Sequence, residues 1–142
     1  MIRHSELAGL TDAEIEVIAQ IARYHRKSAP KASHAGFAAL APDRQHLVRV
    51  LAAILRVAIG LDRSHEARVA RVDVELDPDT VTLRAVPAPH AGGDLDLELY
   101  AAGERKELLE SVLGRRVEVR AGDEAASPDG ATVVVGVLVV VV

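Results

Sequence analysis

The residues of this chain that can do chemistry are its histidines and a concentration of arginines and lysines. The densest group lies in residues 21–31, IARYHRKSAPK, where His25 is flanked by Arg23, Arg26, Lys27 and Lys31. A second group is the LDRSH segment, which sets Asp62 and His65 either side of Arg63. An imidazole can ligate a metal or carry a proton near neutral pH. A guanidinium fork pairs bidentately with phosphate oxygens, and an ammonium meets them as a point charge. Arg49, Arg56 and Arg63 recur seven residues apart, a spacing that keeps them on one helical stripe if the helix persists to Arg63.

The other chemistries find little support. His4, His25, His34, His46, His65 and His90 form no HExxH-type pattern and no adjacent His-Asp dyad, so no metal site is expected. With no cysteine, thiolate sites and disulfides are excluded. There is no GxSxG nucleophile elbow, and Gly92-Gly93 lacks the context of a phosphate-binding loop. No catalytic residue is therefore assigned. Aromatic residues make up only 2% of the chain, too few for base-stacking platforms, so nucleic acid is not an expected partner. Phosphate-rich ligands without bases fit better. The competing reading is a basic helix face that is simply solvated or ion-paired.

Charge is unevenly distributed along the 142 residues. Residues 21–71 hold ten Lys/Arg against three Asp/Glu, whereas residues 72–142 hold six against fourteen. A basic half joined to an acidic half is a pattern compatible with a polyanion-binding face. The length suits one ordinary domain with a real core, built from Ala, Val, Leu and Ile because aromatics are scarce. The polar N-terminus carries no evident secretory signal, and the longest apolar run is too short for a membrane span, so a cytoplasmic protein is expected.

These groups need elements to position them. Thr11 and Glu14 frame a capping box that opens a helix with Ile15, Ile18, Ala22 and His25 as its expected buried stripe and Ile21 alongside. Pro30 stops that helix soon after Lys27. A loop with Gly36 and the short apolar run FAALA follow; a second helix is expected over about residues 44–61, burying Leu47, Leu51, Ile54, Leu55 and Ala58. After Arg68 the period falls to two. Val69–Leu76 and Val81–Ala85 read as strands joined at Pro78-Asp79, and Pro87–Gly93 as loop. Leu95, Leu97 and Leu99 alternate with acids as a third strand; residues 100–113 read as a helix ended by Gly114, and Arg116–Arg120 as a further strand. The tail ATVVVGVLVVVV is strongly β-prone and is expected to pair in a sheet or an oligomer interface. The fold class expected is α+β: a helical half over residues 1–68, then a small mixed or antiparallel sheet with one helix over residues 69–142, together one compact unit.

IARYHRKSAPK, followed some thirty residues on by LAAILRVAIGLDRSH, resembles the C-terminal region of the exopolyphosphatase / guanosine pentaphosphate phosphohydrolase family. The opening IRHSELAGLTDAEIEVIAQ and the later LDLELYAAGERKELLESVLGRRVEV are similar to flanking regions of that family, so the resemblance covers about residues 2–120. Family enzymes carry actin-like subdomains that cleave a terminal phosphoanhydride of polyphosphate or pppGpp with Mg²⁺. The resemblance implies the helical HD-like domain that follows those subdomains, without the subdomains themselves. It implies no cofactor for this chain alone, with Mg²⁺ tied to a separate catalytic part.

In the family's typical ADGLDRSH stretch an acid stands where this chain has Ile59, and an apolar side chain cannot ligate a metal. A residual metal-dependent phosphohydrolase is therefore the least favoured reading. The expected ligand is polyphosphate or a (p)ppGpp-like anion, held by Arg23, Arg26, Lys27, Lys31, Arg49, Arg56 and Arg63. His25, Asp62 and His65 are expected in structural roles or as a residual site, with His25 packed on its helix and Asp62 and Arg63 holding the helix end. A homodimer and a separate catalytic subunit are expected as further partners, and no membrane partner is expected; the alternative function is a structural or dimerisation module without ligand.

Overall fold

The computed structural model describes residues 9–26, 28–123 and 132–133. Lys27 and most of the Val-rich tail lie outside the described residues. The chain divides into two compact units, Met1–Arg56 and Val57–Val142. The fold is α+β.

In the first unit, α1 spans Asp12–Tyr24. The capping box forms as the sequence predicts. The Thr11 hydroxyl accepts from the Glu14 N–H at 3.3 Å, and the Glu14 carboxylate accepts from the Thr11 N–H at 2.8 Å. The expected buried stripe is corrected, however: α1 buries Val17, Gln20 and Tyr24, while Ile15, Ile18, Ile21, Ala22 and His25 are half-buried. Tyr24 selects this face. Its ring stacks on His34 at 5.5 Å and meets Phe37 edge-on at 6.1 Å, and its hydroxyl lies 2.8 Å from Nδ1 of His34. Phe37 belongs to the short helix α2, Ala35–Ala38. The Gln45 side-chain amide donates to the carbonyls of Phe37, Ala38 and Leu40, tying the loop after α2 to the start of α3.

Helix α3 spans Pro42–Leu61. It too presents a different face from the one expected. Val48, Ala52, Ala53, Val57 and Leu61 are buried, while Leu47, Leu51 and Ile54 are exposed and Leu55 and Ala58 half-buried. The helix is apolar on both sides, so hydrophobic spacing does not choose between them. Specific contacts do. Arg49 lies 5.0 Å over the Phe37 ring, and Arg56 donates to the carbonyls of Tyr24 and Ser28 at 2.7 and 2.6 Å. Those two side chains turn their own face inward.

The second unit centres on a mixed sheet of order β3-β2-β1-β4. Strands β1 (Val69–Leu76) and β2 (Thr80–Pro87) form the expected hairpin, with Val72 opposite Ala85 and Val74 opposite Leu83. Strand β3 (Arg116–Ala121) runs parallel to β2, and β4 (Thr132–Val133) pairs antiparallel with β1. A parallel neighbour needs a long crossover, and here two helices supply it: α4 (Asp96–Gly103) and α5 (Glu107–Leu113). The expected strand at residues 95–99 is therefore corrected to helix, and the single expected helix to two. LDLELYAAGE contains no β-branched residue, and the Asp94 carboxylate accepts from the Asp96 N–H at 3.0 Å, which starts a helical turn. Gly114 ends α5 in the left-handed conformation, as expected.

The backbone of Val117 in β3 is satisfied by α5 and the loop before it. Glu110 accepts from its N–H at 2.9 Å, and Lys106 donates to its carbonyl at 2.6 Å. The last turn of α3 approaches α4 so closely that a Cβ on Gly60 would lie 2.5 Å from Cα of Ala102. Among the described residues no helix is long and apolar enough to cross a membrane.

Candidate functional site

The basic residues named from the sequence fall into three environments. Arg23, Arg26 and Lys31 are exposed around the C-terminal end of α1. Arg23 lies 5.4 Å over the Tyr24 ring, which orients its guanidinium without neutralising it. Among the described residues, none of the three makes an ion pair. Arg49 and Arg56 are half-buried and engaged with the aromatic pair and the chain around it. The last carbonyls of a helix lack intrahelical donors, and Arg56 satisfies one of them at Tyr24 while pinning Ser28 in the loop beyond. Arg63 belongs to the second unit. Because α3 ends at Leu61, the seven-residue stripe of Arg49, Arg56 and Arg63 is not completed.

His25 is the C-cap of α1 and is half-buried, with Nδ1 donating to the Ala22 carbonyl. It is a helix-end residue whose neighbours Arg23 and Arg26 face water. Glu14, at the other end of the helix, has its titration altered. Hydrogen bonds from the Thr11 backbone and hydroxyl hold its carboxyl below the usual 4.5, with the Arg44 charge adding to the effect.

In LDRSH, Asp62 Oδ2 and His65 Nδ1 are 3.4 Å apart, and both side chains reach solvent. The N–H groups of Asp62 and Arg63 bond to the carbonyls of Ala58 and Gly60, continuing the last turn of α3. His65 and Ala67 follow in the left-handed region, at φ 58° and 50°. Strand β1 is anchored by Arg68, whose Nη2 donates to the carbonyls of Ala91 and Asp94 at 3.1 and 2.6 Å. Its Nε lies 3.8 Å from the Glu98 carboxylate, which is 1% exposed. Oε1 of Glu98 has no hydrogen-bond partner among the described residues. Sequence reasoning missed both residues: alternation placed Glu98 on the wet side of a strand, and Arg68 looked like one more base. Asp96 sits between leucines just as Glu98 does, so the local sequence holds no signal that singles out the buried acid.

Among the described residues no three His, Asp or Glu side chains converge as a metal site. Among the described residues, three exposed bases without ion pairs lie around the capped end of α1, beside an arginine-braced aromatic pair.

The chain is thus a helical unit followed by a small mixed sheet. The chain matches the model of the Ppx/GppA phosphatase family, domain III, over residues 1–89, and it belongs to that family. The match includes both IARYHRKSAPK and LDRSH, while the resemblance read out to about residue 120 extends past it. No curated protein matches the chain.

Proposed function

We propose that this chain is a non-catalytic, cytoplasmic domain of the Ppx/GppA family that binds polyphosphate or a (p)ppGpp-like anion at the C-terminal end of α1. The observation that carries the reading is the group Arg23, Arg26 and Lys31, exposed and without ion pairs among the described residues. Successive phosphates of a linear polyanion present charge at short intervals, and separate bases around one helix end can neutralise several at once. Arg49 and Arg56 serve this site indirectly, by holding the aromatic pair and the helix end from which the other bases project. Lys27 completes the set by its place in the sequence. A catalytic subunit, if one engages the domain, would supply the Mg²⁺-dependent chemistry.

The test is a fluorescence-anisotropy titration of the full chain with end-labelled polyphosphate at low and high salt. Saturable binding is expected at low salt, and the variant R23A/R26A/K31A should weaken it at least about tenfold, since each charge-assisted contact contributes on the order of 1 kcal/mol. Circular dichroism establishes that the variant is folded. Equal affinity of wild type and variant, or no binding by the folded wild type, overturns the reading.

A further inference from the structure

His34 stands beside the end of α1, and its two ring nitrogens have opposite surroundings. Nδ1 is 2.8 Å from the Tyr24 hydroxyl and receives the Lys31 backbone N–H at 3.4 Å. A backbone amide can only donate, so Nδ1 must accept and carries no proton. The Tyr24 hydroxyl then donates to the same nitrogen, and an imidazole in this state holds its proton on Nε2. Nε2 itself has no hydrogen-bond partner among the described residues and is not enclosed. The ring therefore presents a neutral N–H donor to water.

Three restraints fix that donor in place. The imidazole lies nearly parallel to the fully buried Tyr24 ring, with centroids 5.5 Å apart and planes 19° off. The His34 N–H bonds to the Lys31 carbonyl at 2.9 Å, closing a turn between the two residues. The His34 carbonyl in turn accepts from the Ala38 N–H at 2.8 Å. The Arg23 guanidinium lies 5.4 Å from the centroid of the same Tyr24 ring, so one buried aromatic supports both a base and the histidine. Lys31, at the start of the turn, is exposed and without an ion pair among the described residues. An ammonium attracts phosphate as a point charge. An N–H on a stacked ring adds direction to that attraction.

We propose that His34 is a further anion-binding residue, its Nε2–H donating to a phosphate oxygen of a chain whose charge Arg23 and Lys31 neutralise. This rests on anion binding at the end of α1. Tyr24 then has two parts in the site. Its ring supports the imidazole, and its hydroxyl, together with the Lys31 N–H, selects the tautomer that donates. A hydrogen bond from a neutral N–H to an ionised oxygen adds affinity but no charge, so it releases no counterion. Loss of a lysine should therefore flatten the salt dependence of binding, whereas loss of His34 should leave it unchanged.

Anisotropy titration of the full chain with end-labelled polyphosphate, over a series of salt concentrations, compares wild type with H34N and K31A. Asparagine keeps an oxygen acceptor near the place of Nδ1 for the Tyr24 hydroxyl and has nothing at the place of Nε2. H34N is expected to lose about five- to tenfold in affinity at every salt concentration. K31A should instead reduce the slope of log affinity against log salt by about one. Nitrogen-15 NMR of the wild type gives a second reading that needs no variant. It should show the proton on Nε2, and that nitrogen should shift as polyphosphate saturates the chain. Wild-type affinity in H34N that melts as a folded protein overturns the proposal, as does a slope lowered in H34N as it is in K31A. So does a proton on Nδ1, or an Nε2 signal indifferent to bound polyphosphate, and these two decide the matter if H34N does not fold. A wild type that binds nothing overturns anion binding and His34 with it, whereas binding that needs the bases but not His34 overturns this inference alone.

Discussion

Glu14 illustrates how much a single position of α1 does. It is the third residue of the helix, and its carboxylate returns to the Thr11 N–H while the Thr11 hydroxyl receives the Glu14 N–H. Its folded-state pKa is depressed, so ionised Glu14 contributes stability that is fully present above the ordinary carboxylate value of 4.5. That contribution is lost as pH falls through the lower, folded value. Thermal melts of wild type and Glu14→Gln from neutral to strongly acidic pH check this. The wild type should melt higher at neutral pH, and the gap should close on acidification. A gap independent of pH would assign the effect to shape rather than charge. Arg56 makes the complementary point at the far end of the helix, where two backbone carbonyls absorb its guanidinium donors. A base read from sequence as a ligand contact can equally be a helix cap, and only its partners distinguish the two.

At the scale of elements, α3 and α4 meet where side chains are smallest. Gly60 comes so close to α4 that an added Cβ would fall 2.5–2.7 Å from backbone atoms of Ala101 and Ala102. Backbone cannot swing aside as a flexible side chain does, so the helices would have to separate. Alanine is the better helix former by roughly 1 kcal/mol, yet overpacking of this kind costs about 1–3 kcal/mol. Gly60→Ala is therefore expected to destabilise the protein, by about 1–2 kcal/mol, read as a lower urea midpoint at unchanged slope. An unchanged or raised midpoint would mean that the approach is looser than described. The next element, α4, shows why burying an acid need not disrupt a helix. Glu98 faces Arg68, whose remaining donors hold the loop carbonyls of Ala91 and Asp94.

For the whole molecule, binding and folding respond differently to salt. Anion binding at Arg23, Arg26 and Lys31 is electrostatic at exposed groups and should fall steeply as ionic strength rises, because the Debye length shrinks from ~10 Å at 0.1 M to ~3 Å at 1 M. Folding rests on apolar burial, as of Tyr24, Val48, Ala52 and Ala53, which salt does not screen. Between those two salt concentrations polyphosphate affinity should drop by an order of magnitude or more, while the urea midpoint should hold or rise. Anisotropy and urea unfolding on the same samples measure both. Parallel loss of the two would show that ion pairs hold the fold as well as the anion.

The sequence by itself determined the local signals: the Thr11–Glu14 capping box, the β1–β2 hairpin at Pro78-Asp79, the Gly114 helix stop, the α+β class and the family. Each rests on contacts between near neighbours in the chain, so the residues that make the signal are present in the pattern. Tertiary structure decided which faces are buried. On α1, Tyr24 won over the isoleucine stripe because His34 and Phe37, ten and more residues away, complete its ring contacts. On α3 both sides are apolar, and Arg49 and Arg56 chose between them through partners on other elements. Residues 95–99 alternate like a strand but lack the β-branched side chains that favour one, and a turn at Asp94 with a buried Glu98–Arg68 pair made them a helix. A period shows that a face exists; which face is covered depends on groups distant in sequence, and that information is absent from any local window.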